Sequence, residues 1–266
     1  MKIITEKDAY EGRKGESGNV LFLILIAVAL FAALSYAVTQ SSRSGGSGAE
    51  REVNLIGSAQ ITQYPSSLRT AIVRMLVSGV SAEQILFNTS DTRDGYEYDF
   101  SGLVSPDDTQ NFTNRGVFHP NGGGASFIQP SPDVMAGANQ GVWYFNGNFG
   151  IEGIGTDQAE LIAFLPGISE GICRRLNQEY GITGIPEADG VVLADIEQSR
   201  TGDVANTGAV TIDPTPAFVE TLGEADVMIG SAPNLGGAAL AGQPFGCFLQ
   251  DDTPNLYVYY HVLVER

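Results

Sequence analysis

Apolar residues run without interruption from Val20 to Val38, VLFLILIAVALFAALSYAV, with no charge, Pro or Gly over 19 positions. At about 1.5 Å per residue, such a helix spans the ~30 Å hydrocarbon layer of a bilayer. We therefore expect a transmembrane or filament-core helix over residues 19–40, with Val20, Leu23, Ala27, Phe31, Leu34 and Val38 as its membrane or assembly residues. A polar leader, residues 1–18, precedes it. A small, polar tract, TQSSRSGGSGA, follows, and its Gly and Ser predict a flexible joint over 41–49 or a helix melted there.

From Glu50 the apolar spacing becomes three and four. Val53, Gly57, Ile61, Tyr64, Leu68, Ile72 and Met75 fall on one face, which predicts an amphipathic helix within 50–87. Pro65 is expected to kink it or to start a second helix at Ser66–Ser67. Gly79 reads as a break, and Ser81–Gln84 as the cap of a last short helical piece.

Beyond residue 88 the pattern shortens again. Turn formers dominate 88–140, with Tyr96–Leu103 and Gly116–His119 as short candidate strands. Gly141–Phe149, Ile151–Gly155 and Glu160–Leu165 predict strands of a meander that Pro166 ends. Ile168–Tyr180 predicts a short helix stopped by Gly181. Val191–Ile196 and Ala209–Ile212 are further candidate strands, and Pro216–Thr221 a helical turn. Phe245–Leu249 and Leu256–Val264 predict a hairpin; its last strand, LYVYYHVLV, is apolar on both faces, as a central strand is. The expected fold is α+β: a long amino-terminal transmembrane and amphipathic helix with an antiparallel-sheet head over 88–266.

Composition narrows the function. Net charge is −17, and residues 1–18 hold four basic and four acidic side chains, so the whole deficit lies after the leader. Such a domain repels phosphate backbones, which argues against nucleic acid as a partner. Arg13 and Lys14 precede the apolar run closely, which favours a cytoplasmic amino terminus and an exported head. Cleavage as a secretory signal peptide, after Ser35-Tyr36-Ala37, is the alternative. Cys173 and Cys247 are the two cysteines; on an oxidising side they pair, and otherwise they are two buried thiols.

The polar leader ending in Gly, the long apolar helix, the Pro-bearing amphipathic continuation and the carboxy-terminal Cys pair together resemble the type IV pilin and pseudopilin superfamily. The resemblance is carried best by the first 75 residues. It implies cleavage after Gly18 by a prepilin peptidase, leaving Asn19 first, with Gly15 as second choice. It also implies self-association or association with other pilin-like subunits, and a disulfide-bounded carboxy-terminal segment. The chain departs from the family at the fifth mature position, where Leu23 stands in place of Glu. The location implied is a single-pass inner-membrane protein with a periplasmic head, or a surface filament. A signal-anchored periplasmic binding or accessory domain that does not polymerise is the alternative function.

No GxSxG, HExxH, Walker A or dinucleotide motif is present, so no catalytic or cofactor-binding residue is assigned and an enzyme is not expected. His261, inside an apolar strand, reads as a core histidine. Two acidic loops, one with Asp91, Asp94, Glu97 and Asp99 and one with Asp251 and Asp252, are read first as solvated turns. Second, they are oxygen-rich candidates for calcium.

Overall fold

The computed structural model describes residues 17–87, 112–136, 141–197, 202–203, 211–212, 225, 227–250 and 256–266. Two compact units emerge, Met1–Glu52 and Val53–Arg266. The leader 1–16, the candidate strand Tyr96–Leu103, the turn Pro216–Thr221 and both acidic loops lie outside the described residues.

In the first unit the described chain is helical. Helix α1 is assigned over Ser17–Val77 and so takes in residues 41–49, where the sequence predicted a joint. Helical hydrogen bonding needs only backbone groups, so Ser and Gly lower propensity without forbidding the conformation. Within α1, Val20–Thr39 has a mean hydropathy of 2.7 and buries none of its residues. Leaving each of these large side chains in water forgoes about 1.5–3 kcal/mol of burial. Such a surface calls for lipid or a packed partner.

In the second unit α1 contributes its amphipathic part. Ile61, Tyr64, Leu68, Ile72 and Met75 are buried, as the periodicity predicts. Val53 is not; it is 54% exposed, because burial on this face begins one turn later, at Gly57. The helix continues through Pro65 rather than restarting after it. Gly79 follows the last turn with φ of 98°, and a 3-10 turn, Ala82–Gln84, comes next. The Ser81 N–H donates to Gln84 Oε1 at 3.1 Å, so the predicted cap forms.

Besides short 3-10 turns, the chain forms β1 (Tyr144–Asn146), β2 (Phe149–Ile151), β3 (Leu161–Ile168), α2 (Glu170–Glu179) and α3 (Leu193–Ile196). They are followed by β4 (Gly202–Asp203), β5 (Thr211–Ile212), β6 (Val227–Ile229), α4 (Gly237–Leu240), β7 (Phe245–Gln250) and β8 (Leu256–Val264). The main sheet is antiparallel with order β1-β3-β8-β7. Strand β2 leaves this sheet and pairs in parallel with β6, while β4 and β5 form a short antiparallel pair.

Alternation along the sheet explains its two apolar faces. Leu161, Ala163, Leu165, Tyr259 and Leu263 point to one side, where they pack with α1 and α2. Ile162, Phe164, Val258, Tyr260 and Val262 point to the other, where they meet Val191, Ile196, Ile229 and Leu240. Strand β8 is thus central and covered on both faces, which is why its sequence carries no polar alternation.

Four local predictions are corrected. Of the predicted strand Ile151–Gly155 only Ile151 is strand, the last residue of β2, and residues 152–155 turn, with the Ile154 N–H donating to the Ile151 carbonyl. Pro166 does not end its strand; β3 runs on to Ile168 with a register shift between Pro166 and Ile168. Strand β1 pairs β3 only as far as Phe164, so the missing proline N–H leaves no β1 partner unmatched. The predicted strand Val191–Ile196 is instead a bend at Val191 leading into the helical turn α3, with Val191 and Ile196 buried and Val192 facing out. Of Gly116–His119 only Gly116 forms a bridge, to Leu86.

Helix α2 stops as predicted, with Gly181 at φ of 75°, a left-handed conformation that glycine adopts without strain. It approaches α1 closely. A Cβ on Gly57 would stand 2.6 Å from Ile172 Cδ1, so the small residue at that position sets the spacing of the two helices.

Candidate functional sites

The six apolar positions singled out above, Val20, Leu23, Ala27, Phe31, Leu34 and Val38, all lie on α1 inside the exposed span, on successive turns. Gly18 and Asn19 fall in its first turn.

Cys173 on α2 and Cys247 on β7 are bonded, with a Cα–Cα distance of 5.4 Å and both residues fully buried. One turn of helix beyond Cys173, Asn177 completes the joint. Its amide Nδ2 donates to the Cys247 carbonyl at 2.8 Å and to the Gly184 carbonyl at 2.9 Å, and its Oδ1 accepts the Cys247 N–H at 2.9 Å. Two residues on, the Leu249 N–H donates to the Pro186 carbonyl and the Ala188 N–H donates to the Leu249 carbonyl. The outer edge of β7 is therefore closed by a side chain and a loop, which removes a template for unwanted strand pairing. Replacing Asn177 by Ala strands buried backbone groups of Cys247 and is expected to lower stability by about 2 kcal/mol. Urea unfolding in detergent micelles reads this loss; a midpoint unchanged from the parent would contradict it.

Neither acidic loop lies within the described residues. Among those residues no group of three His, Cys, Asp or Glu is placed to hold a metal ion. His261 is buried in β8, and its Nδ1 lies 2.8 Å from the Tyr259 hydroxyl. Burial first, and the positive charge of Arg69 second, push its imidazole down to about 4. It is a neutral core histidine, as the sequence suggested. His119 accepts the Asn121 N–H on its Nδ1.

Glu160 was not singled out by the sequence. It is fully buried at the start of β3; Oε2 accepts the Ile151 N–H at 3.0 Å, and Oε1 has no hydrogen-bond partner. Burial raises its carboxyl to about 8, the Ile151 N–H opposes the rise, and Glu265 adds to it. An acid directly before the apolar run LIAFL was the available signal.

The head also carries a groove of about 500 Å³ between α1 and the segment 128–134. Its floor is Ile61, Tyr64, Val134 and Trp143. The Tyr64 and Trp143 rings stand 5.4 Å apart, and the Tyr64 hydroxyl accepts the Ile128 N–H at 3.3 Å. Burial raises that phenol well above its ordinary value, so it stays protonated. The polar lining is Gln60, Gln63 and Ser67 on α1, with Gln129 and Ser131 opposite. None of the lining residues is charged. Gln63 lies off the apolar face of the helix, and nothing local in the sequence places residue 129 opposite it.

No protein-family model, curated protein or solved structure matches the chain.

Proposed function

We propose that the chain is a pilin-like or pseudopilin-like structural subunit, anchored in the membrane by Val20–Thr39 and assembled through that helix into a filament. One observation carries the reading. The first unit presents a helical span, Val20–Thr39, whose apolar residues are all exposed, and the chain that follows it is a head with an antiparallel sheet and a helix buried against it. Ala27, Ala29, Ala32, Ala33 and Ala37 keep much of the span's surface small, which favours close helix approach in lipid or in a filament core. The buried disulfide suits an oxidising compartment, hence a periplasmic or surface head.

A signal-anchored accessory domain is the second reading, favoured by Leu23 at the position where the family carries Glu. Intact mass and amino-terminal sequencing of the native protein separate the two. Asn19 or Glu16 as first residue supports processing and assembly, and filaments in sheared surface material complete the case. Met1 as first residue rejects prepilin processing. Val38 shows removal of the anchor and rejects both readings.

A further inference from the structure

We infer that the groove between α1 and the 128–134 segment is a binding site for an uncharged, hydroxyl-rich ligand, an oligosaccharide. This goes beyond the structural role proposed above and does not depend on filament assembly.

The first argument is electrostatic. The chain carries a net charge of −17, yet no residue lining this groove is charged. Charged ligands are bound by matching charge, and a site that lacks it favours a neutral ligand over an ionic one. Three primary amides, Gln60, Gln63 and Gln129, and two hydroxyls, Ser67 and Ser131, form the polar lining. Each amide both donates and accepts, which matches sugar hydroxyls that do the same. Ser131 already accepts the Asp133 N–H at 3.4 Å, and Ser67 donates to the Tyr64 carbonyl at 2.7 Å, so the two exposed glutamines of α1 are the principal ligand-facing groups.

The second argument concerns shape. The groove's volume lies within the range for small-molecule sites, and its floor is apolar beneath a polar rim.

The third argument weighs against a peptide. A peptide recognised as an added strand needs free backbone donors and acceptors along the groove. Here the Ile128 N–H is taken by the Tyr64 hydroxyl. A proline-rich helix needs exposed aromatic ridges, whereas Tyr64 and Trp143 are buried to within 7% and 2% of full cover.

Trp143 is the chain's single tryptophan and lines the groove, so its fluorescence senses what binds there. The test uses the full chain in phosphatidylcholine nanodiscs, since many detergents carry sugar headgroups. Maltotriose, cellotriose and N-acetylchitotriose are titrated, beside a neutral peptide of similar size built from Ala, Ser and Gln. The expected result is a saturable change with at least one sugar and none with the peptide. The double variant Gln60→Ala, Gln63→Ala should weaken that affinity about tenfold, as loss of two hydrogen bonds implies. Both positions are exposed on the helix and alanine favours helix, so the variant retains its fold. Gln178→Ala, exposed on α2, should leave the affinity unchanged. No saturable response to any of the three sugars, a response to the peptide alone, or equal affinity in the double variant would each overturn the proposal.

Discussion

Replacing Cys173 and Cys247 together by alanine is expected to lower the stability of the head by about 4 kcal/mol, the chain-entropy cost of releasing a loop of this length. The bridge joins residues 74 apart and ties α2 to the edge strand β7. For a domain of this size the loss corresponds to a fall in melting temperature of about 10 °C. Alanine is the better test than serine, because both positions are fully buried and a hydroxyl there would add its own desolvation penalty. Burial also fixes how the bond responds to reductant. Thiolate attack needs access to a sulfur, so the native protein should resist reduction and the urea-unfolded protein should not. Thiol labelling after each treatment, with mobility on a non-reducing gel, measures this. Rapid reduction of the folded protein would contradict the buried placement.

The same joint carries the Asn177 bonds, so the two losses are not independent. Without the disulfide, α2 and β7 are held at this point by the Asn177 amide and by packing. The cost of Asn177→Ala should therefore change in the alanine background, as is usual for groups sharing a partner. A strictly additive double cycle would show that the helix and the strand keep their places without either.

How much of this was legible in the sequence depends on the range of the interaction that decides each element. The apolar span is a matter of composition alone, and Val20–Val38 reappears nearly unchanged. The amphipathic face from Ile61 to Met75 follows from local period, and so does its burial. The central place of β8 was readable because burial on both faces erases alternation. By contrast, whether Pro166 ends a strand depends on how far β1 extends alongside it, a pairing between segments with no local mark. Residues 191–196 hold apolar side chains that fit a strand or a helical turn equally, and the sheet's second face decided between them. Of the candidate sites, the disulfide was countable from two cysteines. The groove was not, since its two walls lie more than sixty residues apart and neither shows a motif.

Stability should hold level between about pH 4.5 and 6.5 and fall toward pH 8, because two buried groups titrate in opposite senses. Glu160 has an ordinary value of 4.5 and a folded value of about 8. Between these the native state keeps a proton that the unfolded chain releases, so stability falls as pH rises through that window. His261 has an ordinary value of 6.5 and a folded value of about 4. Between these the unfolded chain takes up a proton that the native state refuses, so stability falls as pH drops. Where the windows overlap the slopes cancel; above 6.5 only the Glu160 slope remains. Glu160→Gln keeps an acceptor for the Ile151 N–H and removes the titration. At pH 8 it should be more stable than the parent by about 3 kcal/mol, less than the full proton linkage would give, because the new amide N–H group gains no acceptor. The variant's advantage should shrink as pH falls, vanish at about pH 5.5 and reverse below it, where the amide's unmet N–H outweighs the remaining linkage. Replacing His261 and Tyr259 together by phenylalanine removes both halves of their hydrogen bond and the opposing His261 slope, so the level stretch between pH 4.5 and 6.5 should become a fall with rising pH. Urea midpoints from pH 4 to 9 measure both arms, and an unaltered profile in Glu160→Gln would reject the assignment. The two groups share a surface feature. Arg69 and Glu265 form an ion pair at 2.9 Å, and its acidic end adds to the rise at Glu160 while its basic end adds to the fall at His261. Burial is the larger cause at each, and the pair reinforces it, so one surface contact helps keep both buried groups uncharged on either side of the plateau.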